Sequence, residues 1–495
     1  MQPAQNARDQ SLGRLVAKNT VYLTVSQALT IPIAILVNGT TARFLGPSDF
    51  GVLYLASTLC GFGFLAVNWG HDSALPALIA RDRTRAGALL GSSLAWRIGA
   101  ALLVYLVLAA GSLIRGHGSD LQWALGLTFV IFGFASMIGA CKDTIRGFER
   151  TDIPAYVHVG QQFLTALIVV PVLFLGGRLR LSLLVQIPVS AVVLVLIWRS
   201  LRSVGIDTLS VRKPELKSLL QVGTPFVFLN LAMALQPTID AEFLAELAPA
   251  EVMGWFAVSR RLIGVLLFPA SALIGALYPT LCRLYAEDRE AFIRVSRGSF
   301  SSVALLAVPF AAGCGLYPEV GVALFSRASF HQAEDNLRIL SVFLFLVYFS
   351  MPLGTCILAA GRQRASSIVQ SLCVVVSSIL DPILIPVFQR RSQNGGLGLC
   401  VAAVISELLV IGCGIALAPR GVFDRKLAKA LLLALVSGGL MALVAHLLRP
   451  FLPPLVAAPL ALLVYCVSAL VTGAVDKEQV EQIKAIINRR LARGR

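Results

Sequence analysis

Long apolar runs alternate with short polar segments along almost the whole chain. A helix that crosses the hydrocarbon core of a bilayer needs about 20 mostly apolar residues. By that measure the predicted spans are residues 20–41, 51–70, 90–114, 121–141, 154–176, 181–199, 219–247, 252–281, 301–325, 337–360, 365–389, 397–418, 426–448 and 453–475. The pattern therefore predicts an all-α integral membrane protein with about fourteen transmembrane helices.

Composition supports a bilayer as the solvent. The chain is 57% hydrophobic and only 14% charged, with a mean hydropathy of +0.80, whereas a soluble domain carries about 25% charged residues. The net charge of +16 does not indicate nucleic-acid binding, because the basic residues form small clusters between apolar runs rather than one patch with aromatic residues.

The basic clusters also predict the orientation in the membrane. With the N-terminus inside, 30 of the 42 Lys and Arg residues fall in inside segments and 8 fall in outside loops. This asymmetry follows the positive-inside rule if both termini are cytosolic. The polar N-terminus has no signal-peptide pattern, so we expect it to be retained in a multi-pass protein of the inner membrane.

Neither an enzyme nor a metalloprotein is indicated. The nine cysteines lie mostly within apolar runs and form no CxxC pair or Cys/His cluster, which is typical of small buried side chains. No predicted outside loop exceeds about a dozen residues, so there is no room for a catalytic domain or lid there. We expect no cofactor.

The polar segments divide the chain into predicted regions. These are a cytosolic arm at 1–19, an N-lobe at 20–199, a cytosolic linker at 200–218, a C-lobe at 219–418, two extra helices at 419–475 and a basic tail at 476–495. The tail has apolar residues near one helical face. It therefore predicts either an amphipathic helix on the anionic leaflet or a solvated, partly frayed tail.

An internal repeat underlies the two predicted lobes. "TARFLGPSDFGVLYLAS" (41–57) aligns with "DAEFLAELAPAEVMGWFAVS" (240–259) after an insertion of three residues, so that Pro47 matches Pro249 and Gly51 matches Gly254. Each copy lies between the first two spans of its half. Because each unit has six spans, the two lobes are expected to be parallel repeats related by an axis along the membrane normal.

Four segments carry a resemblance to a known family. "RFLGPSDFGVLYLAST", "IDAEFLAELAPAEVMGWFAVSRRL", "FPASALIGALYPTLCRL" and "ILAAGRQRAS" resemble the polysaccharide transporter family of the MOP superfamily, the oligosaccharide (Wzx-type) flippases. The resemblance covers residues 11–475. It implies two six-helix lobes around a central, partly cationic cavity, and a sugar repeat unit on an undecaprenyl pyrophosphate carrier as substrate. The related lipid II flippases have arginines in their first span, and residues 20–41 contain none.

Three arginines at bilayer depth are candidates for binding the diphosphate. A charge there costs about 2.5–3.5 kcal/mol on insertion scales. Arg97 lies well inside the third span, and the alternative to phosphate binding is an ion pair between helices with Asp72. Arg260 and Arg261 lie in the eighth span about 100° apart on the helix, so they cannot both face the same way. The family pattern has a basic residue near this position.

Other polar residues within the spans are candidates for sugar contact or for ion coupling. Asn230, Gln236 and Asp240 lie near one stripe of the seventh helix, and Glu407 lies at the centre of the twelfth. Asp240, Glu407 and Asp72 could neutralise an arginine or carry a coupling H⁺ or Na⁺. For Glu407 a structural hydrogen bond is an equally good explanation.

These features predict a flippase for undecaprenyl-pyrophosphate-linked oligosaccharides that works by alternating access, not an enzyme. Its partners would be this lipid-linked substrate, membrane lipids, and the polymerase and glycosyltransferases of the same pathway. The alternative is a MATE-like exporter of small cations, against which the intramembrane arginines argue. A glycan polymerase or ligase would need a long outer loop with catalytic residues.

Overall fold

The computed structural model describes residues 2–325 and 328–473, apart from the side chains of residues 2–25, 27, 28, 229, 232, 233, 328 and 455. Within these residues every regular element is helical. The all-α prediction is therefore confirmed. The predicted basic tail at 476–495 lies outside the described residues.

The first half of the chain forms eight α-helices. They are α1 (Gln2–Asn68, with a break at Gly46), α2 (His71–Arg81), α3 (Ala86–Ile114), α4 (Ser119–Gly147), α5 (Asp152–Phe174), α6 (Leu179–Leu184), α7 (Gln186–Leu201) and α8 (Lys213–Leu247).

The second half forms eight more in the described part of the chain. They are α9 (Ala250–Glu287), α10 (Arg289–Leu316), α11 (Pro318–Phe325), α12 (Gln332–Ala359), α13 (Gln363–Ser392), α14 (Gly396–Leu417), α15 (Arg425–Leu448) and α16 (Pro454–Val471).

Many of these helices can span a membrane. In the described residues, eleven helical segments are long and apolar enough to do so, and Val456–Val471 is a shorter apolar helix. The first segment, Leu29–Arg81, overlaps the predicted span 20–41 and contains the predicted span 51–70. The chain is therefore a multi-pass membrane protein, while the count of fourteen spans and the division into six-helix lobes remain predictions.

The repeated turn has the structure that its proline and acidic residues predict. In the first copy, Gly46 breaks α1 with φ 75° and ψ 177°, and the helix resumes with Pro47 and Asp49 in its first turn. In the second copy, α8 ends before Pro249, and Glu251 lies in the first turn of α9. A carboxylate there complements the helix dipole.

The chain divides into two compact units. The first comprises the described residues up to Ala245 together with Pro249–Gly254, and the second comprises Glu246–Ala248 with the described residues from Trp255 onward. Helix α8 thus belongs to the first unit, except for its last two residues. The predicted boundaries of arm, lobes and linker remain predictions.

Each unit has its own apolar core. In the first unit, Leu75 of α2, Leu89 of α3, Ile138 of α4 and Ile197 of α7 are buried together. In the second unit, Phe300, Leu353 and Leu427 join α10, α12 and α15. Burial of such side chains is what holds helices against one another in register.

Candidate functional site

Arg97 is buried in the interior of the first unit. It lies in the middle of α3 with a relative exposure of 2%. Its Nη1 donates to Asn68 Oδ1 at 3.0 Å and to Ser136 Oγ at 3.0 Å, and Ser136 Oγ donates to Asn68 Oδ1 at 2.6 Å. Three helices, α1, α3 and α4, therefore meet at one guanidinium group.

The hydrogen bonds of this cluster are incomplete. Arg97 Nε and Nη2 are buried and have no acceptor among the described residues, and His71 Nε2 is buried without a hydrogen-bond partner among them. His71 Nδ1 lies 2.9 Å from Ser93 Oγ, one turn before Arg97 on α3. Because a buried donor without an acceptor is costly, the cluster has unused donor capacity for an anion.

No carboxylate among the described residues pairs directly with Arg97. The buried Asp143 binds Arg146 at 3.1 Å, and Asp72 lies exposed in the first turn of α2. Both carboxylates lie near enough to act electrostatically on Arg97. The hydrogen-bond partners of Arg97 are therefore neutral groups, and the ion pair with Asp72 that the sequence leaves open is not formed.

The polar stripe of α8 is a feature of the first unit. Asn230, Gln236 and Asp240 are half-buried on one uninterrupted helix. Gln236 and Asp240 are one turn apart and share a face. Further along, Glu242 forms an ion pair with Arg115 at the end of α3.

In the second unit, Arg260 lies on an aromatic ring. Its guanidinium carbon is 5.0 Å from the centre of the Phe343 ring on α12. Arg260 is half-buried and makes no ion pair with the described residues. Arg261, the next residue on α9, is also half-buried and has a partner of its own. A guanidinium group that lies over an aromatic ring keeps the N–H groups at its edge free to donate hydrogen bonds to another ligand.

Glu407 is held by a hydrogen bond from α12. Ser350 Oγ donates to Glu407 Oε1, which confirms that a hydrogen bond forms there. Glu407 is half-buried on α14, and its carboxylate is close enough to Arg260 for their charges to interact. Phe343 and Ser350 are seven residues apart, so the same face of α12 supports both Arg260 and Glu407.

The clusters around Arg97 and Arg260 differ in accessibility. Arg97 is enclosed, while Arg260 is half-buried. The sequence did not indicate Ser136, Phe343 or Ser350 as partners, because a single serine or phenylalanine in an apolar helix carries no distinctive signal. Among the described residues, no group of three His, Cys, Asp or Glu side chains could hold a metal ion.

The fold is shared with membrane transporters of known structure. The lipid II flippase MurJ in its inward closed conformation matches with a TM-score of 0.68 at 13% identity, covering 92% of this chain and 99% of that chain. An inward-facing multidrug resistance MATE transporter of the MOP superfamily matches with a TM-score of 0.56 at 16% identity, covering 81% of this chain and 97% of that one. The MATE multidrug transporter DinF-BH matches with a TM-score of 0.55 at 17% identity, covering 83% and 96%.

The chain thus has the fold of these multi-pass transporters and flippases. Residues 16–285, more than half of the chain, match the family described as polysaccharide biosynthesis protein, and the chain belongs to this family. No protein of curated function shows detectable sequence similarity to it.

Proposed function

We propose that the protein translocates undecaprenyl-pyrophosphate-linked oligosaccharide repeat units across the inner membrane for the assembly of O-antigen, capsule or exopolysaccharide. Both termini lie in the cytosol, and the transport cycle is one of alternating access. The polyprenyl tail stays in lipid while the polar head group crosses within the protein. The polymerase and glycosyltransferases of the same pathway act before and after this step.

Family and fold support the substrate class. The chain belongs to a polysaccharide biosynthesis family, and its fold is shared with a protein named as a lipid II flippase. A saccharide on a lipid carrier fits both, because it is an intermediate suited to polysaccharide synthesis and a substrate suited to a flippase fold.

The main support for the proposal is the environment of Arg260. A half-buried guanidinium group at bilayer depth is expected to have a counter-ion, and Arg260 makes no ion pair among the described residues. A diphosphate supplies that counter-ion and accepts the bidentate hydrogen bonds that arginine offers. Arg261 is the alternative candidate on α9, because it lies about 100° from Arg260 around the helix and cannot face the same way.

Further candidates lie in the first unit. Arg97 has two donors without acceptors among the described residues, Nε and Nη2, which a phosphate oxygen can satisfy once the cluster around Asn68 opens. Asn230 and Gln236 supply amide groups suited to sugar hydroxyls. Asn68 Oδ1 accepts hydrogen bonds from Arg97 and Ser136.

Three carboxylates are proposed to couple transport to H⁺ or Na⁺. Glu407 is the strongest of them, because it is half-buried, bound by Ser350 and within the electrostatic influence of Arg260. Asp240 and Asp72 have the same role in the first unit. Protonation of Glu407 would strengthen the net positive charge around Arg260 and so favour binding of the diphosphate.

The test is reconstitution of the purified protein in vesicles loaded on one side with undecaprenyl-pyrophosphate oligosaccharide. We expect the saccharide to become accessible to a glycosidase on the opposite side faster than in protein-free vesicles. A cationic fluorescent dye in parallel vesicles should not move. If the dye moves and the lipid-linked saccharide does not, the protein is a MATE-like exporter and the proposal is wrong.

A further inference from the structure

A groove of about 540 Å³ lies at the end of α7, outside both polar clusters. It is lined by Leu194, Val195, Trp198, Arg199 and Arg202. Leu194, Trp198 and Arg202 are spaced four apart, as are Val195 and Arg199, so the five residues share one side of the helix and of the turn that follows it. The groove thus has an apolar part toward the middle of α7 and a cationic part at its end.

The cationic part has no counter-ion among the described residues. Arg199 and Arg202 are both exposed, and neither makes an ion pair with them. The helix ends here, so the backbone offers carbonyl groups rather than N–H groups. The two guanidinium groups are therefore the main donors that an anion would meet in this groove.

The apolar part is suited to a lipid chain. Trp198 is 44% exposed, between the aliphatic side chains of Leu194 and Val195 and the two arginines. A tryptophan placed between an apolar and a charged zone is typical of the bilayer interface. The sequence predicts that this end of α7 lies on the cytosolic side, where membrane lipids are anionic.

We propose that this groove binds one anionic glycerophospholipid of the bilayer. Its phosphate lies between Arg199 and Arg202, and the first methylene groups of its chains lie against Trp198 and Leu194. The inference does not depend on the transported substrate, because it rests only on the charge and shape of this surface.

Quenching of Trp198 fluorescence by brominated lipids tests the proposal. The purified protein is placed in vesicles with increasing amounts of dibrominated phosphatidylglycerol or dibrominated phosphatidylcholine, and the Trp198 signal is the difference between wild type and Trp198→Phe. Each arginine near a membrane surface favours an anionic lipid by about fivefold, so we expect a preference of about 30-fold for phosphatidylglycerol. The Arg199→Gln/Arg202→Gln variant should lose this preference and keep quenching by phosphatidylcholine.

The matched control removes the same charge elsewhere. Arg390 and Arg391 are exposed at the end of α13, and Arg390→Gln/Arg391→Gln should leave the preference at Trp198 unchanged. Equal quenching of wild type by the two lipids, or an unchanged preference in the Arg199/Arg202 variant, would overturn the proposal. So would displacement of phosphatidylglycerol by stoichiometric undecaprenyl pyrophosphate, because the groove would then belong to the transported lipid.

Discussion

Arg97 shows what a cation requires in the interior of a helical bundle. Its side chain is only 2% exposed. Its partners, Asn68 and Ser136, lie on other helices. The local pattern of one helix does not specify how neighbouring helices align along their axes, so these partners could not be predicted from sequence.

Replacing Arg97 by methionine separates a structural role from a role in transport. Met fills similar volume without a charge, and the hydrogen bond between Ser136 and Asn68 remains. Because burial of a charge without an ion-pair partner is costly, we expect the thermal unfolding temperature of Arg97→Met to stay or rise. Transport should fall about 10- to 100-fold, the loss of hydrogen bonds to a charged group.

Arg97→Lys is the companion variant, since it keeps the charge without the planar fork. It should transport better than Arg97→Met. A protein with methionine at position 97 that transports at the wild-type rate would remove Arg97 from the proposed binding residues.

Glu407 allows a test of ion coupling with little structural change. Glu407→Gln keeps an oxygen that accepts from Ser350, so the variant should fold like wild type. Without a titratable group, its transport rate should no longer respond to an imposed proton or Na⁺ gradient to which wild type responds. The control is Glu290→Gln, an exposed carboxylate at the start of α10. Gradient dependence that survives in Glu407→Gln would assign the coupling elsewhere.

At the scale of elements, the two copies of the repeated turn pack against each other. A Cβ atom on Gly51 would lie 2.8 Å from the backbone N of Gly254, and one on Gly254 would lie 2.7 Å from the carbonyl carbon of Pro47. The aligned glycines therefore occupy positions where backbones approach each other closely within the first unit. The sequence alignment identified the two turns, and the structure shows why both need glycine.

Gly254→Ala should be destabilising for this reason. The added methyl group meets rigid backbone, and overpacking of this kind costs about 1–3 kcal/mol. Unfolding in detergent, followed by thermal or denaturant scans, measures the change. Gly264→Ala on the same helix is the control, because a Cβ atom there meets nothing within 4 Å. Equal stability of the two variants would show that the close approach of Gly254 to the backbone of Pro47 does not contribute to stability.

Helix ends were predicted less well than helix positions. Apolar runs of about 20 residues located the spans, but the helices continue beyond them, and α9 has 38 residues. The left-handed residue after α4 is Glu149 (φ 63°), whereas after α12 it is Gly361 (φ 73°). A glutamate rarely adopts this conformation, so the sequence could not identify Glu149 as the residue that ends α4.

At the scale of the whole molecule, composition and charge distribution predicted the class of protein. Both properties reflect whether a chain folds in water or in a bilayer, and long stretches of high hydropathy indicate a bilayer. The composition of the two compact units is a separate property of the fold. The predicted lobe boundaries remain predictions, and α8 packs with the first unit up to Ala245. Which helices pack together depends on side-chain complementarity that a repeat of short motifs does not encode.

The central claim is that intramembrane arginines bind the diphosphate of a lipid-linked oligosaccharide, and transport by charge-removal variants tests it most directly. Reconstituted Arg260→Ala/Arg261→Ala should move undecaprenyl-pyrophosphate oligosaccharide at least about tenfold more slowly than wild type, since a hydrogen bond to a charged group contributes about 1.5–3 kcal/mol. Arg390→Ala/Arg391→Ala, an exposed adjacent pair, should transport like wild type. Undiminished transport by the Arg260/Arg261 variant would contradict the account.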